Sequence, residues 1–405
     1  MARRADLEPR IETKMKKPYT ELIAVRNGAS DELRDYVTRQ YGNAVLAVCD
    51  ENTARYAEAL HPGAGQIVYP GHVHATDIDA RRVIDAVREE PSIRALVAVG
   101  SGSVHDLTRY AAHALRLPFV SYPTAASVDG FVSGVAAMTI GGVKTTLPAT
   151  PPIALFADPA VFAHAPKRLM ASGIGDIVGK FISLFDWRVG ALLTGEALDE
   201  EIYALEEQAI QAVMQADPHA PGYAETVMQA LVISGMAIQY MGNSRPASAA
   251  EHHCSHLWEM HCINPETGAL HGEQVGAATL LILEEYRRLA REGIRYERLP
   301  YRFDPDYVRQ GFSSLTEGIL RENTPSSLDA LTSGLVASQE DALKGMIAAL
   351  PETDTLRAYL RSVGAPVTLG ELGLPDSDAF VRQTLRWAPY VRNRLTLLKL
   401  SDCCR

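Results

Sequence analysis

The order in which apolar patterns change along the chain constrains its fold more than any other feature. Over the first 160 residues, strand-length runs rich in apolar and β-branched residues recur at Ala44–Val48, Gln66–Tyr69, Ala95–Val99, Phe119–Tyr122 and Ile153–Ala157. Helix-like stretches separate them, such as Asp77–Glu90, where Ile78, Val83, Ile84 and Val87 share one face, and Ser103–Arg116. This alternation predicts a parallel sheet covered on both faces, with a ligand crevice beyond the carboxyl ends of its strands. After Pro166 apolar residues recur at helical spacing instead, through Lys167–Val189, Leu198–Met214, Tyr223–Met241, Gly272–Arg291, Ser326–Ala349 and Ala379–Leu400. At 405 residues the chain also exceeds the roughly 250–300 at which single cores stop growing. The expected architecture is an α/β domain with a parallel sheet over residues 1–165 and an all-α domain over 166–405, divided within Pro159–Pro166.

Composition narrows the partners. The chain carries 49 acidic against 39 basic residues, a net charge of −10, and so repels phosphate backbones, which excludes nucleic acid as a partner. Five cysteines, at 49, 254, 262, 403 and 404, form no C-x-x-C pair, which argues against a disulfide framework and a thiolate zinc cluster and for a reducing, cytoplasmic compartment. No apolar run reaches the roughly 18–20 residues that span a bilayer. The basic stretch MARRADLEPRIETKMKK lacks the apolar core of a secretory signal and reads as a solvated arm.

Three segments concentrate chemistry. In ALVAVGSGSVHDLTRYAAHAL a buried strand runs into Gly100-Ser101-Gly102 and opens a helix, where free amides and the helix dipole attract a phosphate. Ser103 and Asp106 fit an S-x-x-D capping box there, so a well-capped turn without ligand is the plainer alternative. Asp50, just past an earlier strand, is placed to accept ribose hydroxyl bonds, although it precedes the glycine loop. In YPTAASVDGFVSGVAA, the hydroxyls of Thr124, Ser127 and Ser133 suit cofactor contacts and Asp129 suits a polyol. In the helical half, Asp176 and Lys180 are i,i+4 partners, as are His252 and His256, and His271 follows. Two imidazoles and one carboxylate from separate helices make an open site for zinc, nickel or ferrous iron. Cys254 points to another helix face than His252. Lys144, Lys180 and Arg245 are the basic candidates for a substrate phosphate.

The segments GSGSVHDLTRY (100–110), PTAASVDGFVS (123–133), GIGDIVGK (173–180), SRPASAAEHHCSHLWE (244–259) and LHGEQVG (270–276), in this order, resemble the superfamily of iron-containing alcohol dehydrogenases, glycerol dehydrogenases and dehydroquinate synthases. Within it they are most similar to the glycerol-1-phosphate dehydrogenase branch, over about residues 45–290. The resemblance implies a Rossmann-like, dinucleotide-binding N-terminal domain in a dehydroquinate synthase-like fold, with Asp176, His252 and His271 as metal ligands. His253 competes with His252, which is preferred because it stands four residues before the histidine of SHLWE. Asp129, His256 and Lys180 are the implied catalytic set, Asp129 as the substrate-binding aspartate. NAD or NADP contacts are implied at Asp50, Gly102, Ser103, Val104, His105, Asp106, Thr124, Ala125, Ala126, Ser127 and Ser133.

The implied reaction is metal-dependent hydride transfer between NAD(P)H and dihydroxyacetone phosphate, giving sn-glycerol 1-phosphate, with one nickel, zinc or iron ion. Asp50 beside the ribose favours NAD by repelling a 2′-phosphate. Glycerol dehydrogenase and dehydroquinate synthase are the nearest alternatives; a metal-dependent hydrolase and a non-catalytic binding protein are the alternatives of another class. The expected partner is a small phosphorylated ketone or polyol, with no membrane. Apolar faces at Leu192-Leu193 and Ala230–Met241, together with the resemblance, suggest a homo-oligomer.

Overall fold

The computed structural model describes residues 19–60, 65–141, 143–162 and 164–402. The basic N-terminal arm and the Cys403-Cys404 pair lie outside the described residues. The described residues hold eight strands: β1 (Leu22–Val25), β2 (Val45–Asp50), β3 (Gly65–Tyr69), β4 (Ala95–Gly100), β5 (Phe119–Pro123), β6 (Val135–Ile140), β7 (Val143–Pro148) and β8 (Ala154–Ala157). Six of them form one parallel sheet in the order β3-β2-β4-β5-β8-β1, while β6 and β7 make an antiparallel hairpin.

The central strands β2 and β4 are buried along their whole length, as their unbroken apolar runs require. Their side chains alternate between two cores. Val45, Ala47 and Cys49 pack with Leu33 and Val37 of α1 (Ala29–Tyr41) and Ala57 of α2 (Ala54–Leu60). Leu46 and Val48 pack with Val83 and Val87 of α3 (Asp77–Glu89) and Val104 and Leu107 of α4 (Gly102–Leu115). Each large apolar side chain buried this way contributes on the order of 1.5–3 kcal/mol.

The five expected strands are present, but β1, β6 and β7 were not expected. β1 is a four-residue edge strand, half-exposed, too short for a period to register. The hairpin strands read VAAMTI and VKTTLP, apolar residues diluted by alanine and threonine, and the turn uses Gly141 at φ +55°, a conformation that glycine adopts without strain.

Beyond β8 the described residues hold helices and no strand: α5 (Pro159–Phe162), α6 (Lys167–Thr194), α7 (Glu200–Gln215), α8 (Tyr223–Met241), α9 (Ala250–Glu259), α10 (His271–Glu292), α11 (Pro305–Phe312), α12 (Thr316–Glu322), α13 (Ser333–Ser338), α14 (Glu340–Ala348), α15 (Thr353–Ser362), α16 (Asp378–Trp387) and α17 (Leu397–Asp402). Two expected helical runs are broken. Residues 326–349 divide because Thr332 caps a new helix, its hydroxyl accepting from the Leu335 amide. Residues 379–400 divide at Trp387, just before Pro389, which has no N–H to continue the ladder. The apolar stretch of α8 expected to face a second copy is largely internal: Ala230, Leu231, Met236 and Ala237 are buried in the chain's own core, as is Leu193, and only Leu192 is exposed.

Helix α6 is the axis of this half, buried on all sides over residues 171–180 and packed against α7, α8, α9 and α10. Its glycines explain how close its neighbours come. A Cβ on Gly175 would collide with the Gly272 carbonyl of α10, and one on Gly272 with the Ser172 carbonyl of α6, so the two backbones touch with no side chain between. That contact brings Asp176 and His271 together.

Candidate functional site

The chain leaves β2 toward β3 on one side and returns to β4 on the other, so the sheet has a topological switch point between β2 and β4, where open α/β sheets take ligands. Asp50 ends β2 and Gly100 ends β4, in neighbouring registers, with Thr53 Oγ1 donating to Val99 O at 2.9 Å across them. The loop after β5 joins the same edge through Thr124 N–H, which donates to Gly100 O at 3.0 Å.

The cofactor candidates divide once their side chains are placed. Asp50 Oδ1 accepts from the amides of Asn52 and Thr53 and from Thr53 Oγ1, which fixes the turn and leaves Oδ2 without a partner among the described residues. Burial raises its pKa. Gly102 and Ser103 open α4, and Thr124, Ala125, Ala126 and Ser127 are buried at the same edge. Ser127 Oγ is a buried hydroxyl with no hydrogen-bond partner among the described residues, and a ligand at this edge would satisfy it.

Four candidates turn away from the crevice. Val104 packs in the core beneath the sheet. His105 is buried, its ring nitrogens bonded to Ser101 O (2.9 Å) and Ser121 Oγ (2.8 Å), and burial pushes its pKa down to about 3, so its side chain is structural. Ser133 Oγ closes a local turn on Val135. Asp106 does not close the expected capping box, because the N-cap is Ser101, two residues before Ser103, and the helix begins at Gly102. It pairs instead with Arg109 at 2.6 Å, whose guanidinium also reaches the carbonyls of Gly130, Phe131 and Val135 and ties α4 to that loop.

Facing this edge is a buried polar centre. Lys180 Nζ donates to Asp129 Oδ2 at 2.8 Å, Asp176 Oδ1 at 2.7 Å and Ala247 O at 3.0 Å, which uses all three of its protons. Asp129 N–H donates to Asp176 Oδ2 at 3.1 Å, coupling the loop after β5 to α6. Burial alone would raise the Asp176 pKa, but Lys180 and the imidazoles of His252 and His271 hold it well below the usual carboxylate range. Burial also works against the charge on Lys180, and Asp129 and Asp176 overcome it and raise its pKa.

Asp176, His252 and His271 present ligand atoms within 4.8 Å of one another. The imidazole rings of His252, His256 and His271 form a triangle with centroids 5.3–5.8 Å apart. His252 Nδ1 bonds Glu251 Oε1 at 2.6 Å, and its Nε2 lies 3.5 Å from Asp176 Oδ1. His271 Nδ1 bonds Glu259 Oε1 at 2.8 Å. Carboxylates at Nδ1 fix both rings with Nε2 available, the arrangement that orients histidines toward a metal. His256, Glu259 and His271 form a second group within the same span, but there His271 Nδ1 and Glu259 already bond each other. Burial, with His271, His252 and Arg392 nearby, drives the His256 pKa well down and keeps that ring neutral, although Glu259 opposes this.

Among the basic candidates, Arg245 is clamped on Glu196 by two 2.8 Å bonds and also reaches the carbonyls of Asp186 and Leu395. The Lys144 side chain lies outside those described. His253 is fully buried on a different side of α9 from His252. Cys254 is buried too, and burial raises its thiol pKa, so it is no ligand candidate. Glu251 and Glu259 were missed, although one adjoins His252 and the other follows His256 by one turn. Glu206 and Ser234 had no local signal; they reach the centre from α7 and α8, where Ser234 Oγ donates to Asp129 Oδ2 at 3.1 Å. No helix among the described residues is long and apolar enough to cross a membrane.

Residues 24–166 match the family model of iron-containing alcohol dehydrogenases. Over longer spans the chain is similar to the NAD(P)+-linked glycerol-1-phosphate dehydrogenase of Geobacillus stearothermophilus, at 35% identity over 394 residues, covering 93% of this chain and 91% of that one. The same enzyme of Bacillus subtilis (strain 168) is 32% identical over 399 residues, covering 94% and 91%. Among solved structures, glycerol dehydrogenase from Schizosaccharomyces pombe has the same fold, with a TM-score of 0.63 and 16% identity, covering 95% of this chain and 87% of that one.

Proposed function

The chain belongs to the glycerol-1-phosphate dehydrogenase family, and from that premise we propose that it interconverts dihydroxyacetone phosphate and sn-glycerol 1-phosphate by reversible hydride transfer with NAD(P). The observation that carries this reading is the contact between its two halves. The Asp129 amide at the nucleotide edge donates to Asp176 of the histidine cluster, so a cofactor along the sheet edge and a ketone at the cluster would lie side by side. Asp176, His252 and His271 would hold a divalent ion, nickel, zinc or iron, since one carboxylate and two imidazoles suit all three. When bound, the ion supplies Lewis acidity at the substrate's carbonyl oxygen and the dinucleotide supplies the hydride.

The chain's own residues position the reactants. Glu251 and Glu259 hold the two imidazoles, while Lys180 bonds Asp129 and Asp176 together and favours the ionised form of Asp176. Asp129 Oδ1, without a hydrogen bond among the described residues, faces a substrate hydroxyl in this reading, and neutral His256 offers a second polar contact. Asp50 Oδ2 would accept from the adenosine ribose and repel a 2′-phosphate, which favours NAD over NADP. Cys49, Cys254 and Cys262 are free thiols, in keeping with a cytoplasmic enzyme. The test is the stereochemistry of the product formed from dihydroxyacetone phosphate and NADH. An enzyme specific for sn-glycerol 3-phosphate should leave that product untouched; its consumption would contradict the assignment.

A further inference from the structure

The proposed reaction, on which this inference rests, needs a cation to receive the substrate's phosphate, and most basic side chains around the polar centre are already committed. Lys180 has no proton left to give, Arg245 is neutralised by Glu196, and Arg168 clasps Glu273 at 2.6 Å. Lys399 Nζ bonds Asn323 Oδ1 at 2.6 Å, and Arg394 bonds the carbonyls of Ser244 and Ser248 and the Ser244 hydroxyl. Arg392 differs. Its guanidinium is half-buried and has no hydrogen-bond or ion-pair partner among the described residues.

The segment that carries Arg392 is held rigidly beside the site. The short turn Ala388–Tyr390 packs on α9, the helix of His252 and His256. Lys399 Nζ donates to the Arg392 carbonyl at 3.2 Å, and Asn393 Oδ1 accepts from the Ser327 amide at 2.8 Å. Arg394 docks on the Ser244–Ser248 loop that leads directly into α9. The charge of Arg392 is felt at His256, His253 and Arg394. Fully buried His253, on a different side of α9 from His252, also leaves both ring nitrogens without a partner among the described residues. In a chain of net charge −10, Arg392, Arg394 and Lys399 concentrate positive charge on one short segment.

We propose that Arg392 receives the phosphate group of the substrate, and that the segment 391–396 is the wall that selects a phosphorylated ketone over an unphosphorylated one. A guanidinium with all its donors free suits this role, because its planar fork matches two phosphate oxygens at once.

The metal-loaded full chain tests this with Arg392→Ala and Arg392→Lys. In R392A the ratio of kcat/KM for dihydroxyacetone phosphate to that for dihydroxyacetone should fall roughly 10- to 100-fold, mainly through KM, as loss of a charge-assisted bond predicts. R392K should recover part of the ratio, since it keeps the charge without the fork. Calorimetric titration with inorganic phosphate should show binding to the unaltered protein that R392A loses. An unchanged ratio, equal losses with both ketones, or phosphate binding that is absent from the unaltered protein or equal in R392A would overturn the proposal. An unaltered protein that reduces neither ketone would sink the reaction instead, and the phosphate titration would still decide the role of Arg392.

Discussion

Lys180 and Asp176, one turn apart on α6, form a 2.7 Å ion pair with both side chains closed off from solvent. A charged pair taken fully out of water contributes little net stability by itself, but it is costly to break. Lys180 also holds Asp129 at 2.8 Å, so one ammonium compensates two carboxylates at the junction of sheet edge and helices.

Lys180→Met should therefore destabilise the fold by roughly 3–5 kcal/mol, because it leaves buried carboxylates unpaired. Urea denaturation of the metal-free protein measures this. A change within about 0.5 kcal/mol would mean that solvent or another cation reaches these groups.

Glu251 and Glu259 do not belong to the Asp176–His252–His271 group, yet they fix its two imidazoles. Glu251→Gln and Glu259→Gln should each lower metal affinity roughly 10- to 100-fold. Competition with a chelator reads this directly. Unchanged affinity in both variants would mean that the rings are oriented by packing alone.

Glu206 is fully buried near Lys180, and burial raises its pKa to about 8. Below its ordinary value of 4.5 both folded and unfolded chains hold the proton, so Glu206 imposes no cost there. Between about 4.5 and 8 only the folded chain keeps it, and stability falls by ~1.4 kcal/mol per pH unit until the folded group also ionises. Glu206→Gln should thus gain stability over the parent as pH rises from 5 to 8, and lose that advantage's slope above 8. Parallel stability curves across this range would show that Glu206 is ionised in the fold.

Gly272→Ala should push α10 from α6, because its Cβ would collide with the Ser172 carbonyl. A loss of roughly 1–3 kcal/mol is expected, with reduced metal uptake because Asp176 and His271 separate. Metal content of the folded variant, measured after purification, distinguishes this from simple loss of stability.

Much of this was readable in the sequence because it is local. Unbroken apolar runs announced β2, β4 and β5, and i,i+4 spacing put His252 beside His256 and Asp176 beside Lys180. What pattern does not carry is the direction of a side chain within a loop or across elements. His105 and Ser133 look like cofactor contacts in a row of small and polar residues, but each finds a protein partner that only the packed fold supplies. The commitment of Arg245 to Glu196, 49 positions away, is equally invisible to spacing, and so is the place of Arg392, which comes to α9 from near the chain's end.

Metal-dependent reduction of a phosphorylated ketone is read by NADH oxidation with metal-stripped protein. Nickel, zinc or ferrous iron is restored in turn, with dihydroxyacetone phosphate and dihydroxyacetone run in parallel. Turnover of the phosphorylated ketone should appear only after metal is restored, with little or none of the other. Turnover without metal, or equal turnover of both ketones, would contradict it.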